Sequence, residues 1–429
     1  MESNIVVIDL KAFYASVECV DRHLDPFLTP LVVVDKSRGP ATIILSVTPY
    51  LKKQGIPSRL RLFELPKGEY IYAMPRMERY LEVSAEVVSI VLHYVNEDDI
   101  HIYSIDELFV DLTHYLKFYK KNSLDLTKQI MSDIKNKLGL TTCAGIGPNM
   151  LLAKCALDLE AKTNPNNIAY WTYKDVENKL YKVTPLSKMW GISHNLEKKL
   201  NNLGLYSVAD IANCSKDLLI SKLGVMGEQL FNNARGIDNT NIREKYIPKS
   251  TSLSVGQVLN RDYSMNEMPI IIREMCDDLM LRVRLQKKFC QCVHLGILYS
   301  KNVNAKGFYV QCKLQRGTDD EDIVYEVLMN LFNKNIQNNP IRQVSISVSS
   351  IYNPTVEQLD IFIDPEVQQK KRSLQFTIDQ IRNKFGQNAI LRTDALSKSS
   401  NAIERHKLIG GHHRWVIVEW KNGCLLIRL

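Results

Sequence analysis

Short apolar runs broken by acids and turn residues open the chain: Ile5, Val6, Val7 and Ile8 stop on Asp9, the pattern of a buried strand. Residues 11–22, 78–94, 123–138 and 149–160 have helical apolar spacing. Residues 101–112 read as paired strands about an Asp-Glu corner, and 141–146 as a further strand. This alternation predicts a mixed α/β domain over about the first 175 residues. Residues 185–238 lose the strand pattern and become short helices punctuated by Gly191, Gly204, Gly224, Gly227 and Gly236. A polar stretch with Pro248, residues 239–249, reads as a linker. Beyond it the order strand, helix, strand, strand, helix, strand predicts a ferredoxin-like βαββαβ unit ending near Tyr352. The remainder carries a helix near 368–385 and a hairpin signal at Asn422-Gly423 between two apolar runs. The fold class is therefore α/β and α+β multidomain.

Composition narrows the function classes. Hydrophobic residues at 45% and charged residues at 24% of 429 are ordinary globular values. No long uncharged apolar run or basic leader occurs, which predicts a soluble, cytoplasmic protein with no membrane partner. Nine cysteines without a Cys-x-x-Cys pair fit reduced thiols, and Cys290 and Cys292, two apart on one strand, are expected to face the same core. The net charge of +8 is uneven: residues 1–240 are balanced, 241–364 carry +1 and 365–429 carry +7. The basic end is either a contact for a polyanion or a soluble tail.

Candidate chemistry sits on acids. Asp9 ends the first strand, and Asp106-Glu107 interrupt the apolar segment Tyr103-Ser104-Ile105-Asp106-Glu107-Leu108-Phe109-Val110. Carboxylates in such surroundings are costly unless a positive partner meets them, and a hard divalent cation is a natural one. Spacing alone leaves open a helix cap at Asp9 and a polar turn at Asp106-Glu107.

The motif residues go further. Ile8 to Glu18 (IDLKAFYASVE), Tyr103 to Asp111 (YSIDELFVD) and Gly145 to Lys154 (GIGPNMLLAK) with the later Ala161-Lys162 resemble, in order and separation, the signatures of Y-family translesion DNA polymerases. The bacterial branch holding UmuC- and UvrX-like proteins looks nearest. The resemblance implies a right-hand-like polymerase: palm and fingers over 1–178 (fingers about 22–76), a helical thumb over 179–238, a linker at 239–249, a little finger over 250–356 and a basic tail over 357–429. It also implies that Asp9, Asp106, Glu107 and the Leu10 carbonyl hold two Mg²⁺ ions for nucleotidyl transfer to a primer 3′-hydroxyl. Tyr14 matches the steric gate that rejects ribose, Phe13 would stack under the incoming nucleotide, and Lys162 would reach its triphosphate. The fingers depart from the family at Pro49 and Lys52, where most members have tyrosine and arginine. Ser46 and Lys52 remain nucleotide-binding candidates, with Arg59 in reserve. Lys154 reads as a packing or salt-bridge residue.

Gly191-Ile192-Ser193 with Gly204 resembles a helix-hairpin-helix, whose backbone amides bind DNA phosphates; Leu223 to Gly227 is a weaker second one. For the little finger, a basic DNA face is expected from Lys249, Arg261, Lys301, Lys306, Lys313 and Arg342. Gln358-Leu359-Asp360-Ile361-Phe362 resembles the pentapeptide by which bacterial polymerases bind the sliding clamp, with Leu359 and Phe362 as anchors. The implied partners are primed template DNA, deoxynucleoside triphosphates, the clamp and a UmuD-like accessory protein. His412-His413, without nearby acids or cysteines, read as surface residues. Two other classes compete: a catalytically weak DNA- and clamp-binding replisome protein of the same fold, and a nucleotidyl cyclase, in which thumb and little finger would have no role.

Overall fold

The computed structural model describes residues 3–244, 248, 251–354 and 365–413, so Lys249, the clamp-like pentapeptide 358–362 and the Asn422-Gly423 signal lie outside the described residues. Two compact units divide the chain, Met1–Lys245 with the end from His412, and Tyr246–Gly411. Among the described residues no helix is long and apolar enough to cross a membrane.

In the first unit β1 (Ile5–Leu10) is the centre of a five-stranded sheet. Around it lie β5 (Ile100–Ile102), β6 (Glu107–Asp111), β7 (Thr142–Gly147) and β8 (Ile168–Tyr170), in the order β5-β6-β1-β7-β8. A smaller sheet joins β2 (Leu31–Val33), β3 (Ser46–Val47) and β4 (Ile71–Ala73) in the order β3-β2-β4. The helices of this part are α1 (Phe13–Val20), α2 (Pro49–Lys53), α3 (Met77–Leu92), α4 (Leu116–Tyr119), α5 (Ser123–Leu138), α6 (Met150–Ala156) and α7 (Lys174–Asn178). Because both faces of β1 are covered, its apolar run is continuous rather than alternating, with Val6 and Val7 fully buried. The Asn122 side chain accepts from Asp125 N–H to start α5, and left-handed Gly139 ends it.

Four short helices follow, α8 (His194–Asn201), α9 (Val208–Asn213), α10 (Lys216–Leu223) and α11 (Val225–Ala234). They share one apolar core with the sheet, running from Val7 and Phe109 through Leu152 and Trp171 to Leu200, Ile211 and Leu219. The start of the expected linker is tied to the same unit, since Arg243 grips fully buried Asp99 at 2.6 and 2.9 Å.

The second unit has the βαββαβ order: β9 (Ser252–Tyr263), α12 (Met268–Leu285), β10 (Cys290–Tyr299), β11 (Phe308–Thr318), α13 (Glu321–Asn335) and β12 (Ile341–Ser349), with sheet order β11-β10-β12-β9. Val293, Leu295 and Ile297 face the helices. A bulge between Cys290 and Cys292 breaks the alternation, so Cys290 is buried and Cys292 is only half-buried, against the expectation that both face the core. The open face carries Ser345, Ser347, Ser349, His294 and Gly296, the exposed side chains of Tyr309 and Val258, and Lys313 at one edge, while Lys301 and Lys306 are exposed in the turn that joins β10 to β11. Arg261 and Arg342, expected to serve a basic face, are paired with Glu267 and Asp262.

The tail also departs from expectation. After α14 (Pro365–Phe385) the chain continues through α15 (Ala402–Arg405), and its cations are met by acids of the βαββαβ unit. Lys371 pairs with Asp320 and Asp322, Arg372 with Asp319, Arg392 with Asp277 and Glu321, and Arg405 with Asp278. Local pairing therefore uses much of a charge excess that the sequence presents as free. Burial, reinforced by Glu321, pushes the Asp277 carboxyl above its ordinary range. Replacing Arg392 by alanine leaves Asp277 and Glu321 with Arg273 and Arg284 alone. The expected cost is about 2 kcal/mol of stability. Urea unfolding measures it, and an unchanged midpoint would show that the tail is not held by this pair.

Candidate active site

The sheet register sets the acids. Asp9 on β1 stands opposite Glu107 on β6, and the Leu10 N–H donates to the Asp106 carbonyl at 2.8 Å, closing the strand end against the corner. Each carboxylate has a different partner. Asp9 lies 3.3 Å from Lys162 Nζ, Asp106 accepts from the Ser104 hydroxyl at 2.7 Å, and Glu107 Oε2 accepts from Lys154 at 2.7 Å. Among the described residues no three Asp, Glu, His or Cys side chains are gathered closely enough to hold an ion by themselves.

Burial raises the pKa of Asp9, an effect that Lys162 opposes and Asp106 reinforces. Burial also raises Glu107, against Lys154. Glu107 Oε1, although 2.7 Å from the same ammonium, is buried without a hydrogen bond. Asp9 and Glu107, desolvated and in register opposite each other with Asp106 beside them, are a hard-oxygen donor set that fits a divalent cation.

The lysines come from one helix. Lys154 on α6 is 5% exposed and also reaches Asp158, 3.2 Å away, while Lys162 is 2.8 Å from that aspartate. A π-turn over Leu157–Ala161 separates them. Sequence reasoning missed Asp158, although the spacing of four in Lys154-Asp158-Lys162 is the signature of one helical charge row. Nearby acids hold the Lys162 ammonium above its ordinary range, Asp9 contributing most and burial opposing.

The residues expected in the fingers take up varied positions. Pro49 is the first residue of α2, where a missing N–H costs nothing, so this departure from the family starts a helix. Lys52 lies three residues on, exposed at its stem but near enough to Asp9, Lys162 and Asp106 to feel their charge, and partial desolvation of its ammonium lowers its pKa. Ser46 is buried on β3, and Arg59 is exposed in a left-handed turn. Tyr14 is half-buried at the start of α1. Phe13 is only 3% exposed and packs against Tyr14 and Tyr80.

In the hairpin, Gly191 (φ +88°) and Gly204 (φ +80°) are left-handed, with open space where a side chain would be. Ser193 caps α8, its hydroxyl accepting from Leu196 N–H at 3.2 Å. Ile192 is 4% exposed and belongs to the core, which leaves any phosphate contact to the backbone of its neighbours. In the weaker hairpin, Gly227 serves close packing: a Cβ there would meet the Leu219 carbonyl oxygen at 2.1 Å.

A sheet bearing carboxylates at one strand end, a helical region sharing its core and a separate βαββαβ unit make up the fold of a Y-family DNA polymerase. A solved Y-family DNA polymerase chimera, Dbh-Dpo4(243-245)-Dbh, superposes with a TM-score of 0.66 at 19% identity, covering 82% of this chain and 100% of that one. The family model described as impB/mucB/samB matches residues 8–158, and that of the family's C-terminal domain matches 250–361. Among relatives, the putative UV-damage repair protein UvrX of Bacillus subtilis is 38% identical, across 95% of this chain and 97% of its own length. DNA polymerase IV 2 of the same organism is 30% identical across 96% and 99%. The chain belongs to the impB/mucB/samB family.

Proposed function

We propose that this chain is a DNA-directed DNA polymerase that extends primers past damaged template bases with low fidelity, in the cytoplasm and as part of the SOS response to DNA damage. One observation carries the reading: Asp9 stands in register opposite Glu107 with Asp106 beside it, and two lysines of one helix face Asp9 and Glu107. That arrangement suits a reaction in which a triphosphate and a primer hydroxyl, both electron-rich, are brought together.

Asp9, Asp106 and Glu107, with the Leu10 carbonyl, would hold two Mg²⁺ ions. Bound there, Mg²⁺ supplies Lewis acidity toward the α-phosphate and lowers the pKa of the attacking hydroxyl. The protein's own groups do the rest. Lys162 and Lys52 place positive charge beside the carboxylates for the triphosphate oxygens. The Tyr14 ring limits the space at the sugar, and the amides near Gly191 and Gly204 offer donors to template or primer phosphates. The open sheet face of β9 to β12, with its serines, His294 and Lys313, is the surface offered to a duplex backbone.

Primer extension with Mg²⁺ on undamaged and lesion-bearing templates tests the reading. Nucleotide addition on both is expected, and binding of primed DNA without any addition would sink it. The reading of a catalytically weak replisome protein loses its main support, since Pro49 begins a helix and Lys52 still reaches the carboxylates' field.

For partners, Gln358 to Phe362 is the proposed sliding-clamp peptide, and a UmuD-like protein is the proposed accessory subunit. Changing Leu359 and Phe362 together to alanine should remove clamp pull-down at least about tenfold, since two buried apolar anchors are lost. Synthesis on short oligonucleotides should be unchanged. Undiminished pull-down would remove the motif.

A further inference from the structure

The ring of Tyr14 has a fixed backing. It stacks on Tyr80 of α3 with centroids 4.5 Å apart and planes 21° from parallel. Tyr80 is fully buried, and its hydroxyl donates to Glu18 Oε1 at 2.7 Å. Glu18 is fully buried too; Arg76 Nε donates to the same oxygen at 2.9 Å and Arg22 bonds the other. Arg76 in turn reaches Asp21 at 2.6 Å, which Arg79 also grips. Phe13 meets Tyr80 edge-on at 6.2 Å. Burial and the Glu18 charge hold the Tyr80 phenol far above its ordinary pKa, so it remains a donor. The ring cannot shift away from Tyr14 without breaking a buried, charge-assisted hydrogen bond.

A gate excludes a 2′-hydroxyl only as far as its ring cannot recede, and what stands behind that ring sets how far it can. We propose that Tyr80, anchored by Glu18, is a positioning residue for sugar selection, the wall that keeps Tyr14 in place. The proposal rests on the reading of Tyr14 as the steric gate. Neither Tyr80 nor Glu18 needs to touch the nucleotide for this role.

The test compares kcat/KM for a deoxynucleotide and the matching ribonucleotide in the full chain. Tyr80→Leu should lower the deoxy-to-ribo ratio about two- to tenfold, the worth of an aromatic pair beyond its area. Tyr80→Phe, which keeps the ring but loses the hydrogen bond to Glu18, should lower the ratio less than Tyr80→Leu does. In a Tyr14→Ala background, which itself should admit ribonucleotides, Tyr80→Leu should add nothing, because the group it positions is gone. Should Tyr80→Leu fail to fold, as judged by its melting curve, Tyr80→Met fills the space without a planar ring and carries the same expectation. An unchanged ratio in Tyr80→Leu alongside a lowered one in Tyr14→Ala overturns the positioning role and leaves the gate. An equal drop on the Tyr14→Ala background overturns it as well, marking general loosening of the site. An unchanged ratio in Tyr14→Ala removes the gate reading and this proposal together.

Discussion

Asp106→Asn is expected to lower primer extension by at least about a thousandfold while primed-DNA affinity stays within about twofold, the scale of several kcal/mol of charge stabilisation in the transition state. Asp106 is the cleanest of the three acids to test. Changing Asp9 or Glu107 takes one of two acidic partners from Lys162 or Lys154 and leaves each with Asp158 alone, so the loss of activity would be mixed with some loss of stability. Asp106 has a lighter attachment. Its carboxylate accepts from the Ser104 hydroxyl, and asparagine is nearly isosteric and can accept the same bond. The backbone bond from Leu10 N–H to the Asp106 carbonyl is untouched. A gel of primer extension beside an anisotropy titration separates catalysis from binding. Retained extension would remove Asp106 from the catalytic set.

The largest stability effect is expected at Gly145. A Cβ there would lie 2.1 Å from the Ala153 carbonyl oxygen and 2.4 Å from Leu157 N, both backbone atoms, so no side chain can swing aside. Gly145→Ala should cost about 3 kcal/mol or more, at the upper end of overpacking changes. The helix that must move carries Lys154 and leads into Asp158 and Lys162, so activity should fall with stability. Gly191→Ala is the contrast. Its φ of +88° is unfavourable for alanine, but a Cβ there meets nothing within 4 Å, and about 1 kcal/mol is expected. Urea unfolding of the two variants should separate them clearly. A Gly145→Ala midpoint equal to that of the parent would mean that β7 and α6 are not held this closely.

How legible the molecule is from its residues differs from place to place. The strand ending at Asp9 and the βαββαβ order are readable because burial imposes local periods that persist through the whole element. The bulge at Cys290 and Cys292 is not readable, since one inserted residue shifts the faces without changing composition. Asp158 stood within reach of a helical spacing argument. Tyr80 did not, because its pairing with Tyr14 and Glu18 joins α3 to α1, Glu18 and Tyr80 being 62 residues apart in the chain. The basic tail shows the same limit in its electrostatics. Net charge sums over a segment, whereas the partners of Arg392 and Arg405 lie on α12 and α13, remote in sequence.

The sequence by itself determined which residue types stand at the strand end, the glycine turns and the helix caps, and with them the family, because those properties depend on neighbours within a few positions. Only the tertiary structure settled which cation faces which carboxylate, that Phe13 and Ile192 are both buried, and what stands behind Tyr14. Those outcomes depend on desolvation and on distances of a few ångströms between distant segments, and they arise only once the sheet register has brought the segments together.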